Sequence, residues 1–218
     1  MHTQQQTITL LLADDHPLAR EGVRHILEKA PDIEIVGEAE DGNEVKKLIS
    51  SLRPRILLLD LVMPGTSPFE IEKWVRENYP ATVTLVLTAH DRDFYLAGMM
   101  DMGISGYLTK AERAENLIAA IRRAAQGGVF FTTRQIDRAK RWRQEVGKKW
   151  EKLTDREREV LSLMERGLSN KAIAKQLGIT LKTVAYHLSV IFERLDVGSR
   201  YEAIAWHQKY FPKDEEQD

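Results

Sequence analysis

Five short apolar segments alternate with longer stretches of helical spacing along residues 1–127. The apolar segments are ITLLLA (8–13), IEIVGEA (33–39), ILLLD (56–60), TLVLTA (84–89) and GYLT (106–109). Repeated strand–helix–strand units indicate a parallel sheet, and a segment that is apolar at every position suits a strand covered by helices on both faces. We therefore expect an α/β domain with a doubly wound, five-stranded parallel sheet. In such sheets the functional residues lie beyond the carboxyl ends of the strands.

Composition excludes several classes of protein. Of the 218 residues, 43% are hydrophobic and 30% are charged, which is typical of a globular protein. Cys is absent, which excludes a disulfide framework and a thiolate metal site. No apolar stretch approaches the roughly 20 residues that span a bilayer, and the start MHTQQQT lacks the features of a signal peptide. We therefore expect a cytoplasmic protein without a membrane partner.

The residues after 148 predict a second domain made only of helices. Thr154 and Glu157 have the spacing of a capping box, and Ser169 and Thr180 are further candidates for helix N-caps. Gly178 is expected to end the segment KAIAKQLG, and SRYEAIAWHQKY supplies a fourth helix. We expect a small four-helix domain over residues 149–213.

A charged segment separates these two domains. IDRAKRWRQEVGKKWEK is either a helix or a mobile linker, and we assign residues 128–148 as the linker and 214–218 as an acidic tail. Residues 1–127 contain 14 basic and 19 acidic residues (net −5), whereas residues 128–218 contain 18 and 14 (net +4). This asymmetry suggests an anionic partner for the second half, although ordinary variation in surface charge would explain it equally well.

Five polar residues follow the predicted strands and should meet at one edge of the sheet. They are Asp14, Asp15, Asp60, Thr88 and Lys110. Carboxylates about 4 Å apart repel by roughly 4 kcal/mol per pair at an effective dielectric constant near 20, so they need cations to stay ionised. Lys110 supplies one, and Mg²⁺ suits such a set of oxygen ligands. Exposed carboxylates are common, but the joint placement of all five favours a site where Asp60 accepts a phosphoryl group.

The motifs DDHP, LLLDLVMPG, LTA and GYLTK, in this order, resemble the receiver domain of two-component response regulators over about residues 8–126. The resemblance implies a flavodoxin-like strand order 2-1-3-4-5 and phosphorylation of Asp60. It also implies that Mg²⁺ is held by Asp14, Asp15, Asp60 and the backbone carbonyl of Val62. Thr88 and Lys110 match the switch hydroxyl and lysine. Tyr107 matches an aromatic residue that changes rotamer on activation, although simple packing would also explain it.

Two features depart from the common receiver pattern. Thr66-Ser67-Pro68 follows MPG where an acidic residue and Gly are usual, and Ala111 follows Lys110 where many members have Pro. We expect an altered loop near Asp60 without loss of the site.

KAIAKQLG, a short turn and TLKTVAYHLS have the spacing of a helix-turn-helix motif. In that motif the second helix enters the DNA major groove, so Lys182, Thr183, Tyr186, His187 and Ser189, which we expect to be exposed, are candidate DNA contacts. The apolar spacing alone is equally consistent with a plain helical bundle. Asn170, Lys171 and backbone amides at the start of the first helix are candidate phosphate contacts, and Thr180 is a further candidate DNA contact. The sequence from LTDREREVL to IFERLDVGSR resembles the LuxR-type domain over about residues 149–212. The whole chain therefore resembles NarL/FixJ-type response regulators, which implies a homodimer on paired half-sites.

The candidate DNA helix lacks two bases that are frequent in that family. Ala185 stands where many members have Lys or Arg, and Ser189 lies near a second such position. Either Lys182 and Arg194 compensate or affinity rests more on phosphate contacts. His187 is equally well explained as a base contact or as a packed side chain.

We therefore expect a transcription regulator in which a histidine kinase phosphorylates Asp60 with Mg²⁺, and this controls dimerisation and DNA binding. Enzymatic activity is expected to be limited to phosphoryl acceptance and slow autodephosphorylation. An aspartyl-phosphate phosphatase would need a second acidic group, but residue 62 is Val. The other alternative is a phosphorylation-independent DNA-binding protein whose receiver serves for dimerisation.

Overall fold

A computed structural model describes residues 7–211 of the chain. These residues form two compact units, which divide between Ala139 and Lys140. The acidic tail assigned to residues 214–218 lies outside the described residues.

The first unit contains a parallel sheet with a helix after each strand. Its strands are β1 (Ile8–Ala13), β2 (Ile33–Ala39), β3 (Ile56–Leu59), β4 (Val83–Thr88) and β5 (Gly106–Thr109). The intervening helices are α1 (Pro17–Leu27), α2 (Gly42–Leu52), α3 (Pro68–Asn78), α4 (Asp93–Met102) and α5 (Ala114–Ala125). The strand order is β2-β1-β3-β4-β5, and every neighbouring pair is parallel. The predicted fold and strand order are thus confirmed.

Strand β3 lies at the centre of the sheet and is buried along its whole length. Its four residues, Ile56–Leu59, have no exposed surface. Ile56 and Leu58 belong to one core cluster with Leu85 of β4 and Ile121 of α5. Leu57 and Leu59 alternate with them along the strand and are buried too. A strand with no polar face requires cover on both sides of the sheet, as the ILLL segment predicts.

The unusual Thr66-Ser67-Pro68 sequence starts helix α3. The Ser67 hydroxyl accepts a hydrogen bond from the Glu70 amide, and the Glu70 carboxylate accepts one from the Ser67 amide. Pro68 occupies the first helical position, where a missing N–H leaves no intrahelical bond unmade. The Thr66 hydroxyl also donates to Asn43 Oδ1 at 2.8 Å. The departure from the family pattern therefore produces a capped loop that is tied to the start of α2.

Residues 133–151, which include much of the segment assigned as linker, are continuously helical. Helix α6 (Thr133–Trp142) runs into a π-helical turn at Arg143–Gly147 and then into α7 (Lys148–Glu151). The charged segment predicted to be either a helix or a mobile linker is therefore a helix.

The second unit continues with four helices, as predicted. They are α8 (Asp155–Glu165), α9 (Asn170–Leu177), α10 (Leu181–Leu195) and α11 (Arg200–Tyr210). Thr154 and Glu157 form the predicted capping box, and Ser169 and Thr180 cap α9 and α10. Gly178 ends α9 with a positive φ of 64°, a conformation that costs glycine little. The apolar faces meet in one core that includes Val160, Ile173, Val184 and Ile191, all fully buried. None of the helices described here could cross a membrane, because none is both long and apolar enough.

Candidate phosphoryl-acceptor site and DNA-binding helix

The residues predicted to meet at one edge of the sheet do so. Asp14 and Asp15 follow β1, Asp60 follows β3, and Lys110 follows β5, while Thr88 is the last residue of β4. Strand register fixes this arrangement, because Ala13 pairs with Leu59 and Thr88 pairs with Thr109 at the ends of the strands. The Asp60 amide also donates to Ala13 O at 2.8 Å, which holds the turn after β3 against β1.

Asp60 lies at the centre of the site with only 3% of its surface exposed. Its Oδ1 accepts a hydrogen bond from the Leu61 amide at 2.6 Å. Its Oδ2 lies 2.6 Å from Lys110 Nζ, which also lies 2.8 Å from Asp14 Oδ2. Burial acts to lower the pKa of Lys110, but its hydrogen bonds to Asp14 and Asp60 outweigh burial and raise the pKa. Lys110 is therefore a charged bridge between the two buried carboxylates.

A candidate metal-ligand set lies beside this bridge. Asp14, Asp15, His16 and Asp60 each offer one ligand atom, and these atoms lie within 4.8 Å of one another. Asp15 Oδ1 is buried and accepts no hydrogen bond from the described residues, although His16 Nδ1 is 2.7 Å away. Three carboxylates this close together repel one another unless a cation is near, so the oxygen-rich set fits Mg²⁺. The half-buried Val62 follows in the loop, and its role remains a prediction.

Thr88 and Tyr107 are connected through the loop after β4. Thr88 is fully buried, and its hydroxyl oxygen accepts a hydrogen bond from the His90 amide at 3.1 Å. The Tyr107 hydroxyl donates to the carbonyl of the same residue, His90, at 2.8 Å. Burial, together with the charge of Asp91, raises the pKa of Tyr107 well above its usual range, which keeps this hydroxyl protonated. The structure thus has Tyr107 packed inward, and the rotamer change remains a prediction.

Two side chains of helix α6 bind it to the loop after β4 and to β5. The sequence pattern did not single out either of them. Gln135 forms a reciprocal cap with Thr132, and its Nε2 donates to Tyr107 O at 2.8 Å. Arg138 Nε donates to Asp93 Oδ1 at 2.7 Å, and Arg138 Nη1 donates to both carboxylate oxygens of Asp91 at 2.9 and 2.8 Å. Along the chain Arg138 is 47 residues from Asp91 and 45 from Asp93, so local sequence carries no signal for these contacts.

The candidate DNA contacts divide into exposed and partly covered residues. Lys182, Tyr186 and Ser189 are exposed on α10, and Lys171 is exposed on α9. Thr183 is half-buried, and its hydroxyl is 2.9 Å from that of the exposed cap Thr180.

Two side chains of the second unit, Asn170 and Arg194, are bound within the unit, whereas His187 is not bound through its Nδ1 by any residue in the described range. His187 is half-buried, and its Nδ1 has no hydrogen-bond partner among the described residues. Asn170 Oδ1 accepts a hydrogen bond from Arg200 at 2.9 Å. Arg194, suggested as a replacement for a missing DNA cation, has its guanidinium bound to Glu157 and to the Lys152 carbonyl, which argues against that suggestion.

Comparison with known proteins agrees with the two units. The family of response regulator receiver domains matches residues 10–122, and the luxR family of bacterial regulatory proteins matches residues 151–207. The chain is 36% identical to the nitrate/nitrite response regulator protein NarL of Escherichia coli K12, with 95% of this chain and 98% of NarL covered. It is 34% identical to the transcriptional regulatory protein DegU of Brevibacillus brevis, with 92% of each covered. The response regulator RcsB in complex with DNA is similar in structure, with a TM-score of 0.61, 26% identity, and 92% and 97% of the two chains covered.

Proposed function

Because this chain belongs to the NarL/FixJ family of response regulators, which join a receiver domain to a LuxR-type DNA-binding domain, we propose that phosphorylation of Asp60 controls its binding to DNA. The chain is a transcription regulator of that family. We propose that a histidine kinase supplies the phosphoryl group in the cytoplasm. We also propose the domain limits 1–127, 128–148 and 149–213 for the receiver, linker and DNA-binding parts.

The observation that carries the proposal is the position of Asp60 between a lysine and two further aspartates. Lys110 Nζ lies 2.6 Å from Asp60 Oδ2. After phosphorylation the ammonium group can bind a phosphoryl oxygen in place of Asp60 Oδ2. The phosphoryl group carries a charge of about −1.5 to −2 in place of the single negative charge of the Asp60 carboxylate, which would strengthen the attraction to Lys110. Asp60 Oδ1 is already held by the Leu61 amide, so the carboxylate has a fixed orientation for in-line attack.

Asp14, Asp15 and Asp60, with the Val62 carbonyl, would hold Mg²⁺ at this site. When bound, the ion screens the negative charge of the carboxylates and orients the phosphoryl oxygens. The ligand atoms of Asp14, Asp15 and Asp60 lie within 4.8 Å of one another, which supports this assignment. Among the described residues, Lys110 is the cation that bridges Asp14 and Asp60, and a single positive charge leaves three carboxylates incompletely neutralised.

The switch is proposed to run through Thr88. Its hydroxyl oxygen accepts from the His90 amide, and a phosphoryl oxygen on Asp60 would accept a hydrogen bond from the same hydroxyl and draw Thr88 toward the acceptor. A shift of Thr88 would move the His90 backbone, which Tyr107 holds through a hydrogen bond to its carbonyl. This sequence of contacts connects the acceptor to the loop that Arg138 joins to helix α6, and to Tyr107, whose carbonyl accepts a hydrogen bond from Gln135 of the same helix.

DNA is proposed to contact the start of α9 and the outward side of α10. The proposed residues are Asn170, Lys171, Thr180, Lys182, Thr183, Tyr186, His187 and Ser189. Exposure favours Lys171, Thr180, Lys182, Tyr186 and Ser189 most. Asn170 keeps its amide NH₂ for a phosphate, because Arg200 engages only its oxygen. Binding as a homodimer on paired half-sites is proposed from the family.

Labelling with acetyl phosphate in the presence and absence of Mg²⁺ tests the acceptor. We expect Mg²⁺-dependent labelling of the wild-type chain and none of Asp60→Ala. Asp137→Ala, which removes an exposed carboxylate from helix α6, is the matched control and should label like the wild type. Equal labelling of Asp60→Ala would contradict the assignment of the acceptor.

A further inference from the structure

The outward side of helix α10 is unusually apolar for a surface that faces DNA. Leu181, Lys182, Ala185, Tyr186 and Ser189 are exposed, and their spacing places them on one side of the helix. Leu181 is 53% exposed and Tyr186 is 65% exposed. Both belong to the early part of the helix, which in a helix-turn-helix motif lies nearest the base edges.

Few hydrogen-bonding groups on this side are available to read bases. The Ser189 hydroxyl donates to Tyr186 O at 2.8 Å, and the Thr183 hydroxyl is paired with that of Thr180. Arg194, farther along the helix, is bound to Glu157.

The side chains that pair bidentately with bases are also scarce. Arginine or lysine reads guanine, and asparagine or glutamine reads adenine, through two hydrogen bonds in the major groove. Helix α10, LKTVAYHLSVIFERL, contains neither asparagine nor glutamine. Lys182 is therefore the one exposed side chain of this type between residues 181 and 189.

The remaining feature of the major groove that an apolar surface can recognise is the C5-methyl group of thymine. We propose that Leu181, Ala185 and Tyr186 read thymine methyl groups, so that each operator half-site has A·T pairs opposite this surface. Lys182 then supplies mainly phosphate attraction. This inference rests on the proposed use of α10 in DNA binding and specifies which bases it selects.

The test uses the full-length chain, treated with acetyl phosphate and Mg²⁺, and a random double-stranded DNA library. Selected sequences are resynthesised with single thymines replaced by deoxyuridine, which removes the methyl group and leaves base pairing unchanged. Burial of one methyl group changes affinity by roughly fourfold. We therefore expect a loss of affinity of this size when deoxyuridine replaces thymine at one or more positions in each half-site.

Substitutions assign the effect to the proposed residues. Tyr186→Ala and Leu181→Ala should weaken binding to the thymine duplex and abolish the penalty for deoxyuridine at the position each residue contacts. Both side chains are exposed and alanine favours helices, so the fold should be kept. Lys182→Ala is the matched control. It should weaken binding to both duplexes equally and reduce the dependence of affinity on salt.

The outcomes separate this inference from the proposed function. A selected sequence that binds equally well with deoxyuridine at every thymine, or a G·C-rich core, would overturn the inference but keep α10 as a DNA-binding helix. Selection of no sequence would overturn both. If Tyr186→Ala and Leu181→Ala changed self-association but not the deoxyuridine penalty, the apolar side would be a protein interface and the inference would again be wrong.

Discussion

Replacement of Arg138 by alanine should loosen the start of helix α6 from the rest of the first unit. Arg138 is 18% exposed and contacts two carboxylates, those of Asp91 (42% exposed) and Asp93 (45% exposed). Burial acts to lower the pKa of Arg138, but the hydrogen bonds to these aspartates outweigh it and raise the pKa. The ion pairs therefore favour the charged guanidinium in the docked helix.

The expected loss of free energy in Arg138→Ala follows from the exposure of its partners, Asp91 and Asp93. A partly exposed ion pair contributes about 0.2–1 kcal/mol, so two pairs that share one guanidinium should contribute about 1 kcal/mol. Alanine is the better helix former, so the substitution itself does not weaken α6. A loss of about 1 kcal/mol corresponds to a roughly fivefold increase in the population of the undocked helix.

Hydrogen exchange of the backbone amides in residues 134–139 measures this opening. We expect roughly fivefold faster exchange in Arg138→Ala, with amides of strand β3 unchanged. Arg134→Ala is the matched control, because Arg134 is exposed on the same helix one turn earlier. High salt should reduce the difference, since it screens exposed charges. Unchanged exchange in Arg138→Ala, or an equal change in Arg134→Ala, would refute the docking role of these ion pairs.

Three further predictions concern other parts of the chain. Asp15→Asn should weaken Mg²⁺ binding by roughly tenfold or more, measured by calorimetric titration, since it removes one proposed ligand; unchanged affinity would exclude Asp15. Hydrogen bonds from Arg122 lower the pKa of Asp32, so this pair stabilises the fold above the ordinary pKa of 3.8 and ceases to do so as the pH falls. Asp32→Asn should therefore cost up to about 1 kcal/mol in urea unfolding at pH 7 and little near pH 3; an equal cost at both would contradict the pairing. Ile173→Ala should destabilise the second unit by roughly 2–5 kcal/mol, measured by hydrogen exchange. Acetyl-phosphate labelling should stay intact, and its loss would contradict the expectation that the first unit accepts the phosphoryl group independently of the second.

The sheet and its site could be predicted from sequence because both depend on local patterns. Apolar segments such as ILLL specify strands, and parallel strands bring residues such as Asp14, Asp60 and Lys110 to one edge. The helix starts at Thr154 and Thr180 were predictable for the same reason, since an N-cap and its partner lie three residues apart.

The features that escaped prediction depend on side chains far apart in the chain. Arg138 looks like part of a solvated basic segment until the fold brings it to Asp91 and Asp93. Arg194 looked available for DNA, yet the fold brings it to Glu157, which is 37 residues earlier. In both cases the partner is set by tertiary packing, and the residue types alone allow either a bound or a solvated guanidinium.

The affinity of one selected DNA duplex for the full-length chain, with and without beryllofluoride and Mg²⁺, tests the central claim most directly. Beryllofluoride mimics the phosphoryl group on Asp60, and a coupled switch should change affinity by at least about fivefold. Asp60→Ala should bind the same duplex with no response to beryllofluoride. Equal affinity of the wild-type chain under both conditions would contradict phosphorylation control and favour a DNA-binding regulator whose receiver serves only for dimerisation.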